Sequence, residues 1–239
     1  LGYPEHTRES YEAAARMGLR IYLLNPTPNW ATEYAERSVY TAGQSLAATV
    51  AAVQQLHDEV HLDGVVTFWE EDVPTAALIA RRLRLPGNRL TAAFNARSKY
   101  RMRLALHRAG VPVPPFCRID GPESLRLAAE RIAFPAILKP EWGSDSEWVA
   151  RVESSAHALA VFGQLRRRVR VQDCIYPYRG RRFVLEGLLS GPEVSVEGVV
   201  QQGRVTLYAI IDKAQMDEDS FIERGECTPS LLPAVTQAA

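Results

Sequence analysis

FPAILKPEWGSDSEWV, residues 134–149, contains a short apolar run from Pro135 to Leu138 that is stopped by Lys139-Pro140. Such a run predicts a buried strand delivering one cation at its end. A polar loop follows, with Gly143, Ser144 and Ser146 between two tryptophans. Glycine and hydroxyl side chains let backbone N–H and side-chain O–H groups turn toward an anion. Residues 148–152 alternate again, so the unit reads strand, phosphate-type loop, strand. It is not a Walker loop, because the lysine precedes the glycine and no helix opens on Gly-Lys-Ser/Thr.

The rest of the composition makes that lysine stand out. The 28 basic residues are 25 Arg and only three Lys, at 99, 139 and 213. Where arginine supplies the general positive charge, a retained lysine suggests a site that needs a compact ammonium rather than a planar fork. Biased codon usage is the plainer alternative. With 239 residues, 46% of them hydrophobic, the chain can bury a sizeable core as one large or two small domains. Its formal net charge of zero gives no sign of a basic face, and no nucleic-acid partner is expected. The densest basic cluster, Arg166, Arg167, Arg168 and Arg170, reads as the solvated end of a helix. Cys117, Cys174 and Cys227 lie far apart without CxxC spacing, which fits a reduced, cytoplasmic setting with neither a disulfide framework nor a zinc site. No apolar run has the length of a membrane span, so no membrane partner is expected. The chain opens on Leu1 rather than Met and is expected to be a fragment or a processed product.

Outward from the central stretch, the pattern before it alternates strand and helix. A strand tail at 1–3 leads to a helix over 7–17 closing at Gly18, and a strand follows at 19–24. A short helical piece at 31–37, a strand at 38–41 and a long helix capped by Ser45 and ending near 60 come next. Residues 63–68, DGVVTF, predict a buried parallel strand, and Asp72 with Pro74 marks the start of a helix to about 84. This order argues for a Rossmann-like α/β domain over 1–88, without GxGxxG and so without a dinucleotide. Helical residues 91–109 break near Asn95, restart at Ser98 and stop at Gly110; with the stiff, proline-rich connector they make a linker over 89–114. The remainder reads as α+β. It has a strand at 116–119, helices at 122–132 and 154–168, then strands at 182–189, 193–200 and 204–212, the last two joined as a hairpin at 201–203.

NARSKYRMRLALHRAGVPVP (95–114), FPAILKPEWGSDSEWV (134–149), VLEGLLSGPEVSVEG (184–198) and, more weakly, IIDK (210–213) with FIERGECTPSLLP (221–233) together resemble the ATP-grasp superfamily, and within it the carboxylate-amine ligases that join amino acids. The resemblance implies a Rossmann-like pre-ATP-grasp domain followed by a two-lobe ATP-grasp domain. Its small lobe would span 115–181, and 182–239 would begin an incomplete C-terminal lobe. It implies ATP and Mg²⁺ as cofactors and small-molecule substrates, a carboxylate and an amine, and it is compatible with a homodimer. Two rivals stay open: an ATP-grasp carboxylase, and a non-catalytic nucleotide-binding module.

By the same likeness Lys99 would reach the α-phosphate and Lys139 the α- and β-phosphates, with an ion pair to Glu141 or Asp145 as the structural alternative for Lys139. The loop of Gly143, Ser144 and Ser146 would close over the phosphates, although it has fewer glycines than the family pattern and adds Asp145 and Glu147. Glu186, Gly187, Leu188 and Leu189 resemble the hinge that holds adenine, with free backbone groups to read the purine edge. Glu193 would accept the ribose hydroxyls, and Lys213 would sit near the γ-phosphate. Glu223 and Glu226 lie where related ligases hold substrate, Glu226 in a place often taken by His. Glu71, at the carboxyl end of the strand expected over 63–68, would contact a substrate amino group, while Asp72 would cap the helix after it. The family's magnesium carboxylates come after the region matching 221–233, so no metal ligand is assigned and little or no ligase activity is expected of this polypeptide alone.

Overall fold

The computed structural model describes residues 7–144, 146–168, 182–216, 221 and 223–237. The strand tail expected at 1–3, together with Asp145, Arg170 and Cys174, lies outside them. Described residues up to Ala105 form one compact unit, and those from Leu106 onward form a second.

The first unit opens with α1 (Arg8–Arg16), β1 (Ile21–Asn25), a 3-10 turn (Trp30–Tyr34) and β2 (Ala35–Tyr40). β1 and β2 pair in parallel, the order that the strand-helix alternation demands. Tyr11 of α1 packs with Leu23 and Ala31, its ring edge-on to Trp30 at 5.1 Å between centroids. α2 (Leu46–Val60) begins at Ser45, whose hydroxyl accepts from Ala48 N at 3.2 Å, as the sequence predicts. A 3-10 turn (Glu70–Asp72), α3 (Val73–Leu83) and α4 (Leu90–Arg97) follow. Val53, Ile79 and Leu83 form a second small core in this unit.

Two expectations fail in this unit. Residues 63–68 form no strand, and Val66 is 75% exposed. A strand exists only as half of a ladder, and here Thr67 instead turns the chain locally, its hydroxyl accepting from Trp69 N at 3.0 Å. Asp72 stands at the N-cap position of α3 but in helical backbone, φ −91° and ψ −4°, and makes no capping hydrogen bond. A side-chain cap needs the extended backbone that Ser45 has and Asp72 lacks.

α5 (Lys99–Arg108) restarts after Ser98, whose hydroxyl accepts from Arg101 N at 3.2 Å. In the second unit β3 (Phe116–Ile119), β4 (Ala136–Pro140), β5 (Ala150–Val152) and β6 (Phe183–Gly187) form an antiparallel sheet in the order β3-β6-β4-β5. Helices α6 (Pro122–Ala129) and α7 (Ser155–Arg168) cover one face. That face carries Ile119, Ala136, Leu138, Val152, Phe183 and Leu185, which pack with Leu125, Phe162 and Leu165. Each large apolar side chain buried there contributes about 1.5–3 kcal/mol.

A second sheet, β7 (Val194–Gln201), β8 (Arg204–Met216) and β9 (Glu223–Cys227), is antiparallel in that order, and α8 (Ala234–Gln237) follows. The expected hairpin turn is present, with Gln202 at φ 49° and Gly203 at φ 77°, the positive pair a tight two-residue turn requires. β9 was not expected, because ERGEC carries no apolar alternation.

Candidate functional site

Side chains alternate across a sheet, so the residues that do not face α6 and α7 lie together on the other side. Register places Phe116, Glu186 and Ile137 in one row of that face, and Arg118, Val184 and Lys139 in the next. Lys139 therefore stands diagonally across from Glu186 on the neighbouring strand. Their charges meet: the Lys139 ammonium donates to Glu186 Oε1, with the two side chains 15% and 6% exposed. Lys139 thus pairs with a partner 47 residues away rather than with Glu141, while Asp145, the other alternative considered from sequence, lies outside the described residues. Glu141 belongs to Arg118, whose Nε and Nη2 donate to Oε2 and Oε1 at 3.0 and 3.4 Å. Arg118 was not singled out from sequence, and Glu141 only as a possible partner for Lys139. The available signal was parity, since Glu141 is two residues past Lys139 and shares its face.

The loop begins directly after Glu141, whose N–H bonds Arg182 O at 2.9 Å and closes β4. Gly143 has φ 154°, with open space where a β-carbon would sit, and Ser146 and Trp148 are left-handed at φ 54° and 63°. A bulky residue such as Trp148 rarely adopts that backbone. The N–H groups of Glu147 and Val149 are used inside the loop, bonding Ser144 O and Ser146 O at 3.0 and 3.2 Å. The donor set of an ammonium at a strand end, two hydroxyls and a turned glycine fits a phosphate.

At the far end of β6 the expected hinge is only partly as foreseen. Gly187 N is not free, because it bonds Pro115 O at 2.9 Å and ties the strand to the proline-rich connector. Leu188 is half-buried and Leu189 exposed, and both lie outside the strand.

The second sheet gathers three other expected residues in one row. Lys213 N bonds Glu193 O at 3.0 Å, and Lys213 is directly opposite Glu226 on β9. The Lys213 ammonium donates to Glu193 Oε1 at 2.9 Å. Asp212 points away from that row and fixes the segment after β9, accepting from Leu231 N at 2.7 Å and from the Ser230 hydroxyl. Glu223 opens β9, and its side chain is outside the described ones.

Lys99 and Glu71 belong to the first unit. Lys99 is the half-buried first residue of α5. Glu71 Oε1 accepts from Arg97 Nη2 at 3.2 Å, and Arg97 also holds Glu70. Arg97 is 8% exposed and its Nε has no hydrogen-bond partner, so this guanidinium is a buried anchor that sequence reading missed. Among the described residues no three His, Cys, Asp or Glu side chains are grouped to hold a metal ion. Among them also, no helix is long and apolar enough to cross a membrane.

Two family profiles match the chain, the ATP-grasp N-terminal domain over residues 11–87 and the ATP-grasp domain over residues 132–239. The chain belongs to the ATP-grasp superfamily. The solved L-amino acid ligase of Bacillus licheniformis superposes on this ATP-grasp chain with a TM-score of 0.81 at 27% identity, covering 96% of this chain and 55% of that one. Alanine–anticapsin ligase of Bacillus amyloliquefaciens is 29% identical over 196 residues, 77% of this chain and 41% of that protein. Carnosine synthase 1 of Gallus gallus is 28% identical over 246 aligned positions, 95% of this chain and 26% of that protein. The ATP-grasp chain described here thus spans 55%, 41% and 26% of the lengths of these relatives. The ADP complex of an N5-carboxyaminoimidazole ribonucleotide synthetase shares the fold, with a TM-score of 0.75 at 19% identity.

Proposed function

We propose that the intact protein is an ATP-dependent ligase joining the carboxylate of one amino acid to the amine of another. The observation that carries this reading is the open face of the four-stranded sheet, where Lys139 and Glu186 meet at the root of the Gly143 to Ser146 loop. The printed names of the relatives, an alanine–anticapsin ligase, a carnosine synthase and an L-amino acid ligase, support amino acids as the substrate class.

On this reading a substrate carboxylate oxygen attacks the γ-phosphorus of ATP. The bond from that phosphorus to the ADP oxygen breaks, giving an acyl phosphate and ADP. The amine then attacks the acyl carbon, the carbon–oxygen bond to phosphate breaks, and an amide, inorganic phosphate and a proton result. Phosphoryl transfer is accelerated mainly by positioning and by charge placed where charge gathers. Lys139 supplies that charge from the sheet face, Lys99 and Lys213 supply it from their own elements, and the hydroxyls of Ser144 and Ser146 hold oxygens. Leu188 and Leu189 give adenine an apolar wall. Glu71, held by Arg97, is the carboxylate in the first unit offered to a substrate ammonium. Glu223 and Glu226 belong to the second sheet and are proposed to hold substrate there. No magnesium ligand set is assembled among the described residues.

Glu193 and Lys213 sharpen the picture. A ribose hydroxyl and the γ-phosphate stand at opposite ends of a nucleotide, so a carboxylate and an ammonium in contact at 2.9 Å cannot serve both ends at once. Binding parts this pair, as it parts Lys139 from Glu186.

The test is ADP release by the intact natural protein with ATP, Mg²⁺ and pairs of amino acids, set beside bicarbonate. ADP formation that depends on amino acids is expected. Formation that depends on bicarbonate instead would make the protein a carboxylase. Saturable ATP binding with no turnover on any amino-acid pair would leave a nucleotide-binding module.

A further inference from the structure

Glu141 is an odd neighbour for a phosphate-binding lysine. It lies two residues past Lys139 on the same sheet face, at the root of the loop, and its side chain is 2% exposed. Two strand residues on one face are about 7 Å apart, so a bare carboxylate there would push a triphosphate away from Lys139. A buried ion pair also adds little stability over apolar residues of the same size, so stability alone gives no reason to keep one here. Arg118 reaches Glu141 from the outer strand β3, across Val184, and grips both carboxylate oxygens at 3.0 and 3.4 Å. Arg118 is 31% exposed, so its guanidinium lies toward the open side while its partner lies within.

We infer that Arg118 is a positioning residue of the nucleotide site: by neutralising the buried Glu141 carboxylate it lets the root of the loop accept the triphosphate drawn to Lys139. This rests on the nucleotide-binding reading above. The sheet face then carries two matched pairs, Lys139 with Glu186 and Arg118 with Glu141. They have different fates. The first opens when phosphate arrives, and the second stays closed so that Glu141 remains silent.

The experiment is calorimetric titration of the intact natural protein with MgATP, and with adenosine in competition, for wild type, Arg118→Met, Glu141→Gln and the double variant. A unit charge exposed about 7 Å from a phosphate, at an effective dielectric of about 20, changes affinity by up to roughly fiftyfold, and screening lowers this toward tenfold. Arg118→Met is therefore expected to weaken MgATP by between roughly tenfold and fiftyfold while adenosine, which has no phosphate to repel, changes less than about threefold. Glu141→Gln is expected to bind MgATP at least as tightly as wild type, since the carboxylate charge is gone. Adding it to Arg118→Met should return MgATP affinity to within about threefold of wild type. Three results would overturn the inference: a folded Arg118→Met binding MgATP like wild type, a double variant as weak as Arg118→Met, or an equal loss for MgATP and adenosine. If Arg118→Met does not fold, Glu141→Gln decides alone, and weaker MgATP binding by it overturns the inference. A folded, intact wild-type protein that binds neither ligand refutes the nucleotide-binding reading itself.

Discussion

Replacing Lys139 by Met keeps most of the unbranched stem and removes the ammonium, which isolates the value of its charge. Glu186 would then remain 6% exposed in a row with Phe116 and Ile137, and without the ammonium that now neutralises it. Breaking a buried ion pair from one side costs about 3–5 kcal/mol, whereas replacing both partners by neutral groups is close to neutral. The lysine is 15% exposed, so water can reach part of the site and the lower end applies, about 3 kcal/mol. Urea unfolding at neutral pH should show that loss for Lys139→Met, and Lys139→Met with Glu186→Gln should lie within about 1 kcal/mol of wild type. A single variant less than about 1 kcal/mol below wild type would refute the reasoning, as would a double variant no better than the single. The first result would mean the carboxylate is not truly desolvated, and the second that packing rather than charge was lost.

Arg97→Met should destabilise the first unit by about 3 kcal/mol in thermal or urea unfolding, because it removes the buried cation that pairs with the Glu71 carboxylate, which is 9% exposed; adding Glu71→Gln should recover at least half of the loss. Burial, with the charge of Asp72 as the smaller cause, raises the Tyr11 hydroxyl above its ordinary value of 10.0. The folded state then keeps a proton that the unfolded state releases, so this contribution is full below about pH 10 and is lost as pH rises through the folded value. Unfolding measured along an alkaline pH series should fall less steeply for Tyr11→Phe than for wild type, and identical slopes would count against it.

Local chemistry made part of the fold readable. Ser45 announces a helix and caps it, Gly203 turns a hairpin, and Ser98 restarts a helix, although the one before it runs on past the break expected near Asn95 to Arg97, because each signal depends on residues within one turn of chain. What depended on distant partners was not readable. Residues 63–68 have the composition of a strand, yet a strand needs a neighbour, and Thr67 bends the chain instead. Asp72 has a capping side chain in a backbone that cannot use it. In the site, Lys139 was visible because lysine is scarce, but its partner was not, because the meeting of Lys139 and Glu186 depends on the register of β4 and β6. Arg118 and Arg97 were hidden for the opposite reason, as two arginines among 25. Only the fold shows that one grips a buried carboxylate beside the loop and the other lies beneath Glu70 and Glu71.

The most direct measurement is calorimetric titration of the intact natural protein with MgATP, comparing wild type with the Lys139→Met, Glu186→Gln pair that restores stability. Saturable binding by wild type is expected, weakened at least ~30-fold in the stable double variant, because a charge-assisted contact to phosphate is gone while the fold is kept. Equal affinity in the two proteins would show that the nucleotide does not sit on this sheet face.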